Sequence, residues 1–176
     1  MKAATAELGA IVADPELFDA LLDRPGPDTA AQVAANRQID DRVARRLVYH
    51  SFPARVELAR NPAVSAEILE RLLKDPALRP FLAQNTSSPD LLRQVFEAGF
   101  DDEVLFWLAS NPATPFDVLE KIAVDQKPHR RVMLACQVRG AHAEQVLEIL
   151  RRDRSKAVRA ETLVAASRPR MNTPNL

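Results

Sequence analysis

The sequence predicts an all-α protein built from repeats, and three observations support this fold class. The chain has 176 residues, of which 47% are hydrophobic but only 5% aromatic, with four glycines. This balance favours helices over sheets, in which β-branched and aromatic residues dominate. The other two observations are recurring patterns: an apolar-Ala-x-Asn phrase, and an apolar stripe with helical spacing.

The apolar-Ala-x-Asn phrase occurs five times, at spacings of 24 to 26 residues, and the last copy has Gln in place of Asn. The five copies occupy residues 33–36, 58–61, 82–85, 108–111 and 134–137. A constant period of this length indicates a solenoid, in which each unit contacts only its neighbours.

The apolar stripe has residues at i, i+1, i+4 and i+5, which lie on one face of an α-helix. The stripes are Leu17/Phe18/Leu21/Leu22, Val43/Ala44/Leu47/Val48, Ile68/Leu69/Leu72/Leu73, Leu91/Leu92/Val95/Phe96, Val118/Leu119/Ile122/Ala123 and, more loosely, Val146/Leu147/Ile149/Leu150. Most stripes begin six or seven residues after the Asn, so phrase and stripe belong to one repeating unit. The sequence predicts about six units of about 25 residues.

Prolines mark where the predicted helices end and begin. Pro62 and Pro112 disfavour helical geometry at the preceding Asn, so a helix must stop there. Three other prolines follow a capping residue, at the first helical position where a missing N–H costs little. These starts are Asp14–Pro15, Ser88–Pro89 and Thr114–Pro115.

A unit of about 25 residues is shorter than the roughly 34 to 47 residues of ordinary two-helix repeats. One helix of each pair is therefore expected to be abbreviated. We expect the segment before each Asn, such as residues 55–60, to form one or two turns, short enough for 3₁₀ geometry. A longer α-helix is expected to follow it.

Residues 104–125, VLFWLASNPATPFDVLEKIAVD, and residues 56–75, VELARNPAVSAEILERLLKD, resemble the repeat of the leucine-rich repeat variant family. That repeat reads approximately V-x-x-x-LA-x-NP-x-TP-x-x-LL-x-x-LA-x-D. The resemblance covers roughly residues 30–165 and implies a right-handed superhelix of alternating α and 3₁₀ helices, related to armadillo and HEAT solenoids. The repeat at 80–98 departs from the pattern because no Pro follows Asn85.

The family resemblance implies no particular activity. A founding member carries an N-terminal iron–sulfur module held by cysteines, but this chain's only cysteine is Cys136. No redox role is carried over. We expect one repeat domain over residues 1–165, with an N-terminal cap over 1–30 and repeats over 31–165, followed by a flexible tail over 166–176.

The outer side of the segments before each Asn suggests a binding surface. Counting back from the Asn, positions −5, −3 and −2 are expected to face inward, and −4 and −1 outward. Position −4 is polar in the first two repeats and then becomes Phe81, Trp107 and Met133. We expect these three side chains to form an exposed apolar surface for a protein partner, with Trp107 as the main contributor. The alternative is that a neighbouring loop covers them.

Charge is distributed unevenly along the chain. Residues 1–125 hold 13 Lys+Arg and 20 Asp+Glu, whereas residues 126–176 hold 11 and 4, so the two parts carry −7 and +7. The basic set is a candidate for nucleic-acid phosphates: Arg130, Arg131, Arg151, Arg152, Arg154, Lys156 and Arg159. Polar positions of the longer helices alternate in sign, which makes nucleic acid the less favoured partner. Self-association through the charged ends or the apolar surface is a further alternative.

No motif indicates catalysis, since the sequence has no phosphate-binding Gly loop, His-Glu-x-x-His or glycine-flanked serine. We expect a protein that is not an enzyme and has no cofactor. The three histidines fall at unrelated repeat positions, so no metal site is expected. Cys136 is expected to be partly exposed, with a pKa lowered by Arg130, Arg131 and Arg139.

Neither end of the chain indicates a membrane protein. The N-terminal residues lack the apolar core of a signal peptide, and no window approaches the roughly 18 apolar residues of a membrane span. We expect a cytoplasmic protein with no membrane partner.

Overall fold

The computed structural model describes residue 20 and residues 29–168. These residues form eleven α-helices, one 3₁₀ helix and no strand, so the all-α prediction is confirmed. The apolar residues of the first stripe, the Asp14–Pro15 start and residues 169–176 lie outside the described residues.

The chain divides into two compact units, Met1–Thr86 and Ser87–Leu176. The first contains α1 Thr29–Ala34, α2 Asp41–Leu47, α3 Phe52–Arg60, α4 Ala66–Leu72, the 3₁₀ helix Pro76–Leu78 and α5 Arg79–Asn85. The second contains α6 Pro89–Glu97, α7 Asp102–Ser110, α8 Phe116–Ala123, α9 Pro128–Gln137, α10 Ala143–Arg151 and α11 Lys156–Ser167. The single repeat domain over residues 1–165 stays a prediction.

Within each unit, helices two apart in the sequence pack on one another. In the first unit α3 packs against α1 and α5, and in the second α9 packs against α7 and α11. The Leu-Ala pairs of the phrase are buried at positions −3 and −2 of four repeats: Leu58-Ala59, Leu82-Ala83, Leu108-Ala109 and Leu134-Ala135. The small alanine lets neighbouring helices approach closely while the leucine fills the space between them. The predicted inward face is confirmed at positions −3 and −2. At position −5, Val56 and Pro80 are buried, but Ala31, Phe106 and Val132 are partly exposed.

The side chain of Asn61 joins its own turn to the turn of the preceding repeat. Its Nδ2 donates to the carbonyl oxygens of Ala34 at 2.7 Å and Asn36 at 2.8 Å, and its Oδ1 accepts from the backbone N–H of Ala63 at 3.0 Å. Pro62 holds Asn61 in an extended conformation, with φ −86° and ψ 114°. The predicted stop of α3 before Asn61 is confirmed, and the buried amide satisfies carbonyls that the helix end leaves unpaired.

Asn111 and Asn85 behave differently, and the following residue explains why. Asn111 precedes Pro112, has the same extended backbone, and ends α7. Asn85 precedes Thr86, so α5 continues through Asn85 and its Nδ2 donates to the Phe81 carbonyl of the same helix at 2.8 Å. Asn85 is exposed as a result, whereas Asn111 is buried.

The prediction of an abbreviated helix before each Asn is confirmed in two repeats, where α1 and α5 have 6 and 7 residues and α2 and α6 have 7 and 9. It is wrong in the three others. Helices α3, α7 and α9 have 9, 9 and 10 residues, while α4, α8 and α10 have 7, 8 and 9. The earlier helices start farther upstream because Ser51 and Asp101 cap them: each side chain accepts from a backbone N–H three residues on. Among the described residues, 3₁₀ helix occurs only at Pro76–Leu78.

The capping prediction is confirmed at Ser88 and wrong at Thr114. Ser88 Oγ accepts from the backbone N–H of Leu91 at 3.3 Å at the start of α6. Thr114 is 1% exposed, and its Oγ1 donates to the Leu108 carbonyl at 2.7 Å. Helix α8 begins one residue later than predicted, with Pro115 at the N-cap position. Thr114 therefore satisfies a carbonyl near the end of the preceding helix and does not cap the next one.

A second repeated contact, which the sequence analysis missed, is made by the Asp that ends the longer helix. Asp75 Oδ1 accepts from the backbone N–H of Ala77, and its Oδ2 accepts from Arg55 of α3. Asp153, after α10, makes the corresponding bonds to the N–H of Ser155 and to Arg131 of α9. The Asp thus shapes the turn and ties it to the first helix of the same repeat.

The alternation of charge along the longer helices has a structural explanation. Arg45 of α2 pairs with Glu67 of α4 at 3.0 Å, and Arg93 of α6 pairs with Asp117 of α8 at 3.0 Å. Both pairs lie on exposed surfaces, where such a pair contributes about 0 to 1 kcal/mol. Their alternating signs favour one register of neighbouring helices over a shifted one.

Candidate protein-interaction surface

The predicted partner-binding residues Trp107 and Met133 lie on α7 and α9, two helices that pack against each other in the second unit. Each directly precedes the buried Leu of its phrase, so it sits at the edge of the helix contact rather than inside it. Both side chains are half-buried. The predicted surface is therefore only partly exposed to solvent. Trp107 nevertheless remains accessible, because its own chain does not bury it completely.

Local contacts hold Trp107 in place. The Phe106 ring meets the indole edge-on, with ring centroids 5.0 Å apart. Ser110 Oγ donates to the carbonyls of Phe106 at 2.9 Å and Trp107 at 3.2 Å, which fixes the last turn of α7. An aromatic side chain supported in this way offers a rigid, half-open face, and rigidity lowers the entropy lost when a partner binds.

Phe81, on α5 of the first unit, is covered by a charged neighbour. The Arg60 guanidinium lies 4.9 Å from the centroid of the Phe81 ring, and Arg60 also pairs with Glu57 at 3.4 Å. Phe81 is half-buried as a result. A partner that reaches this ring must displace or stack on the guanidinium, so the first unit offers a more polar version of the surface.

The most exposed large apolar side chains are elsewhere. They are Tyr49, Phe52, Val124, Leu163 and Val164. The repeat pattern does not single out any of them, because none lies at position −4 or −1 of the apolar-Ala-x-Asn phrase. Leu163 and Val164 belong to α11, for which the described residues contain no following repeat.

The prediction that Arg131 contacts phosphate groups is wrong. Its side chain is 2% exposed and makes two hydrogen bonds to the Asp153 carboxylate, at 2.6 and 2.9 Å. It also donates to the Asp125 carbonyl. The hydrogen bonds that Arg131 donates to Asp153 raise the pKa of Arg131 and lower the pKa of Asp153, so both side chains remain charged and bound to each other.

The other predicted basic residues divide into two sets. Arg130 is mostly buried and pairs with Asp102 at 2.9 Å and Asp125 at 3.3 Å, and Arg159 donates to the Asp153 carbonyl. Exposed positions are held by Arg151, Arg152, Arg154 and Lys156. Arg151 and Arg152 both contact Glu148, at 2.7 and 3.4 Å. Of the seven predicted basic residues, only the four between the end of α10 and the start of α11 are therefore exposed.

The predicted pKa of Cys136 is also wrong in direction. Burial raises the pKa of the thiol, and the nearby Glu161 carboxylate raises it further against the opposing effect of Arg168. Arg139 lies close, but it donates to the Cys136 carbonyl at 3.1 Å and not to the sulfur. The thiol is therefore held in its protonated, weakly nucleophilic form.

Neither a metal site nor a membrane-spanning helix is found among the described residues. Among residues 29–168, no three His, Cys, Asp or Glu side chains are grouped so that they could hold a metal ion. The described helices include none with the length and hydropathy to cross a bilayer.

No protein-family model, curated protein or solved structure matches the chain.

Proposed function

We propose that this chain is a non-catalytic scaffold that binds a protein partner, built as a right-handed α-solenoid of about six units of the leucine-rich repeat variant type. One observation carries the proposal. In both units the Leu-Ala pair of the phrase is buried between helices two apart in the sequence, and the residue directly before the pair stays half open to solvent. Repetition of one packing pattern is what a solenoid requires, and equivalent open positions are what solenoids use for binding.

The side chains at these open positions favour a protein as the partner. Trp107 and Met133 belong to two residue types that are enriched at the centres of protein interfaces. Both lie on helices that pack directly on each other in the second unit. We therefore expect Trp107 and Met133 to make the strongest contacts with the protein partner. Phe81, at the same register in the first unit, is expected to contribute less because Arg60 covers its ring.

The proposal is tested by affinity purification from the native host with three variants of the full chain. Trp107→Glu and Met133→Glu place a charge on the proposed surface. Val124→Glu is the matched control, because Val124 is an exposed apolar residue of the same unit outside the register. Quantitative mass spectrometry should find a set of proteins that is retained by wild type and by the control but lost with both surface variants. Circular dichroism and thermal melting confirm that each variant is folded.

A recovered protein is then titrated directly. The chain has a single tryptophan, so its own tryptophan fluorescence comes from Trp107, and the emission of the partner measured alone is subtracted from that of the mixture. Binding at this surface should shift the emission to shorter wavelength, and Met133→Glu should weaken the affinity by about tenfold or more, the size of an interface hot spot. Recovery of the same proteins with wild type and Trp107→Glu would refute the proposed surface.

A further inference from the structure

Helix α11 exposes an apolar face. Leu163 and Val164 are 65% and 51% exposed. Together with Ala157, Ala160 and Ser167, which are also exposed, they follow a spacing of three and four residues and so lie on one face of the helix. The opposite face, with Val158 and Thr162 fully buried, packs against α9 and α10. We call the exposed residues 157, 160, 163, 164 and 167 the α11 stripe.

The neighbouring helix shows what a solvated face looks like in the same unit. Helix α10 exposes Glu144, Gln145, Glu148 and Arg151, and Glu148 pairs with Arg151 at 2.7 Å. The α11 stripe contains no charged residue. An apolar helix face beside a fully solvated one is typical of a surface that binds a partner.

The N-terminal end of the stripe is positively charged. Lys156, the first residue of α11, is exposed, and the Arg152 side chain just before it is 85% exposed. Three acidic residues in this region are paired with arginines: Asp153 with Arg131, Glu161 with Arg168, and Glu148 with both Arg151 and Arg152. The exposed basic residues Arg151, Arg152, Arg154 and Lys156 still outnumber the exposed Glu148. A partner that covers the stripe should therefore carry negative charge beside its apolar residues.

The chain itself contains a segment with this chemistry. Residues 1–28 hold six Asp+Glu and two Lys+Arg, and they include the apolar residues Leu8, Ile11 and Val12 outside the stripe that is assigned to the first unit. Apart from residue 20, this segment lies outside the described residues. The opposite net charges of residues 1–125 and 126–176, −7 and +7, favour contact between unlike ends of two copies.

We propose that the α11 stripe binds the acidic N-terminal segment, residues 1–28, of a second copy of this chain. The contact joins two different surfaces of the chain. It closes a dimer if two copies exchange their segments reciprocally, and it continues into larger oligomers if they do not. In either case association increases with concentration. This contact is separate from the surface around Trp107 and Met133, and neither depends on the other.

Sedimentation velocity of the full chain over a concentration series tests the contact, in about 0.05 M and about 0.5 M salt. Wild type should form oligomers whose average mass rises with concentration and falls with salt. Leu163→Asp should weaken association by at least about tenfold, because a charge replaces a buried contact. The control Val124→Asp should associate as wild type does. Circular dichroism verifies the fold of each variant.

Charge reversal identifies the occupant of the stripe. Arg152→Glu with Lys156→Glu should weaken association, and so should Asp19→Lys with Asp23→Lys. A chain with all four substitutions reverses both surfaces and should recover association. The proposal is overturned if wild type is monomeric at all concentrations, if Leu163→Asp associates normally, or if the fourfold variant fails to recover. A monomer whose thermal stability drops with Leu163→Asp would likewise overturn it, since the stripe would then be covered within one chain.

Discussion

Two arginine–aspartate pairs in the second unit join residues of the same types but differ in their surroundings. Arg131 and Asp153, between α9 and the turn after α10, have side chains 2% and 7% exposed. Arg93 and Asp117, between α6 and α8, have side chains 41% and 46% exposed. In both pairs the guanidinium donates two or more hydrogen bonds to the carboxylate, and in both the arginine lowers the pKa of the Asp carboxyl.

The difference between the pairs shows that burial, not pairing, decides what an ion pair contributes. At the exposed pair, water and salt screen each charge, so losing one partner leaves the other solvated. At the buried pair, losing one partner leaves a charge that water cannot reach. Arg131, which the sequence suggests as a phosphate contact, is instead a structural link between α9 and the turn after α10 that ends the repeat.

The largest effect is expected at the buried pair. Asp153→Asn keeps the shape of the side chain but leaves the Arg131 charge without a counterion, and we expect it to lower the free energy of unfolding by about 3 kcal/mol. Urea denaturation followed by circular dichroism measures this change. A loss below about 1 kcal/mol would mean that solvent reaches Arg131 and that the pair is no different from an exposed one.

An intermediate effect on the free energy of unfolding is expected when the pH is lowered. Arg131 holds the pKa of the Asp153 carboxyl below its ordinary value, so the unfolded chain takes up this proton at a higher pH than the folded protein does. The stabilisation is complete above the ordinary carboxyl pKa of about 4 and is lost as pH falls through the lower folded-state value. Wild type and Asp153→Asn should therefore differ equally at about pH 7 and pH 5 and converge below about pH 4. A difference that stays constant down to about pH 3 would contradict this assignment.

The smallest effect is expected at the exposed pair. Asp117→Asn removes the same charge from the same kind of contact, and we expect a loss below about 1 kcal/mol that becomes smaller still at high salt. The measurement is urea denaturation in low and high salt beside Asp153→Asn. If Asp117→Asn and Asp153→Asn lowered the free energy of unfolding equally, burial would not determine what these two ion pairs contribute.

Features set by local chemistry could be predicted from the sequence. The stops of α3 and α7 follow from Pro62 and Pro112, which act on the residue directly before them. The cap at Ser88 follows from its place before a proline. The inward Leu-Ala pairs follow from periodicity, because one buried position fixes the others on the same face.

Features that depend on distant residues could not be predicted. The burial of Arg131 depends on Asp153, which is 22 residues away and comes close only after α10 folds back. The pattern predicts that Thr114 caps the next helix, but its hydroxyl donates back to the Leu108 carbonyl of α7 and Pro115 occupies the N-cap position. The full length of α7 was missed because its cap, Asp101, lies upstream of the repeated phrase. For the surface around Trp107, the register was predictable but the degree of exposure was not.

Amide hydrogen exchange of wild type and Asp153→Asn tests most directly whether the chain is an array of repeats. In an array each repeat is stabilised by its neighbours, so loss of the buried pair should reduce protection in α9, α10 and α11 and leave α1 to α5 unchanged. A protein organised around one centre would unfold as a single cooperative unit, and protection would fall equally in all helices. The account predicts the first result, and a uniform loss of protection would contradict it.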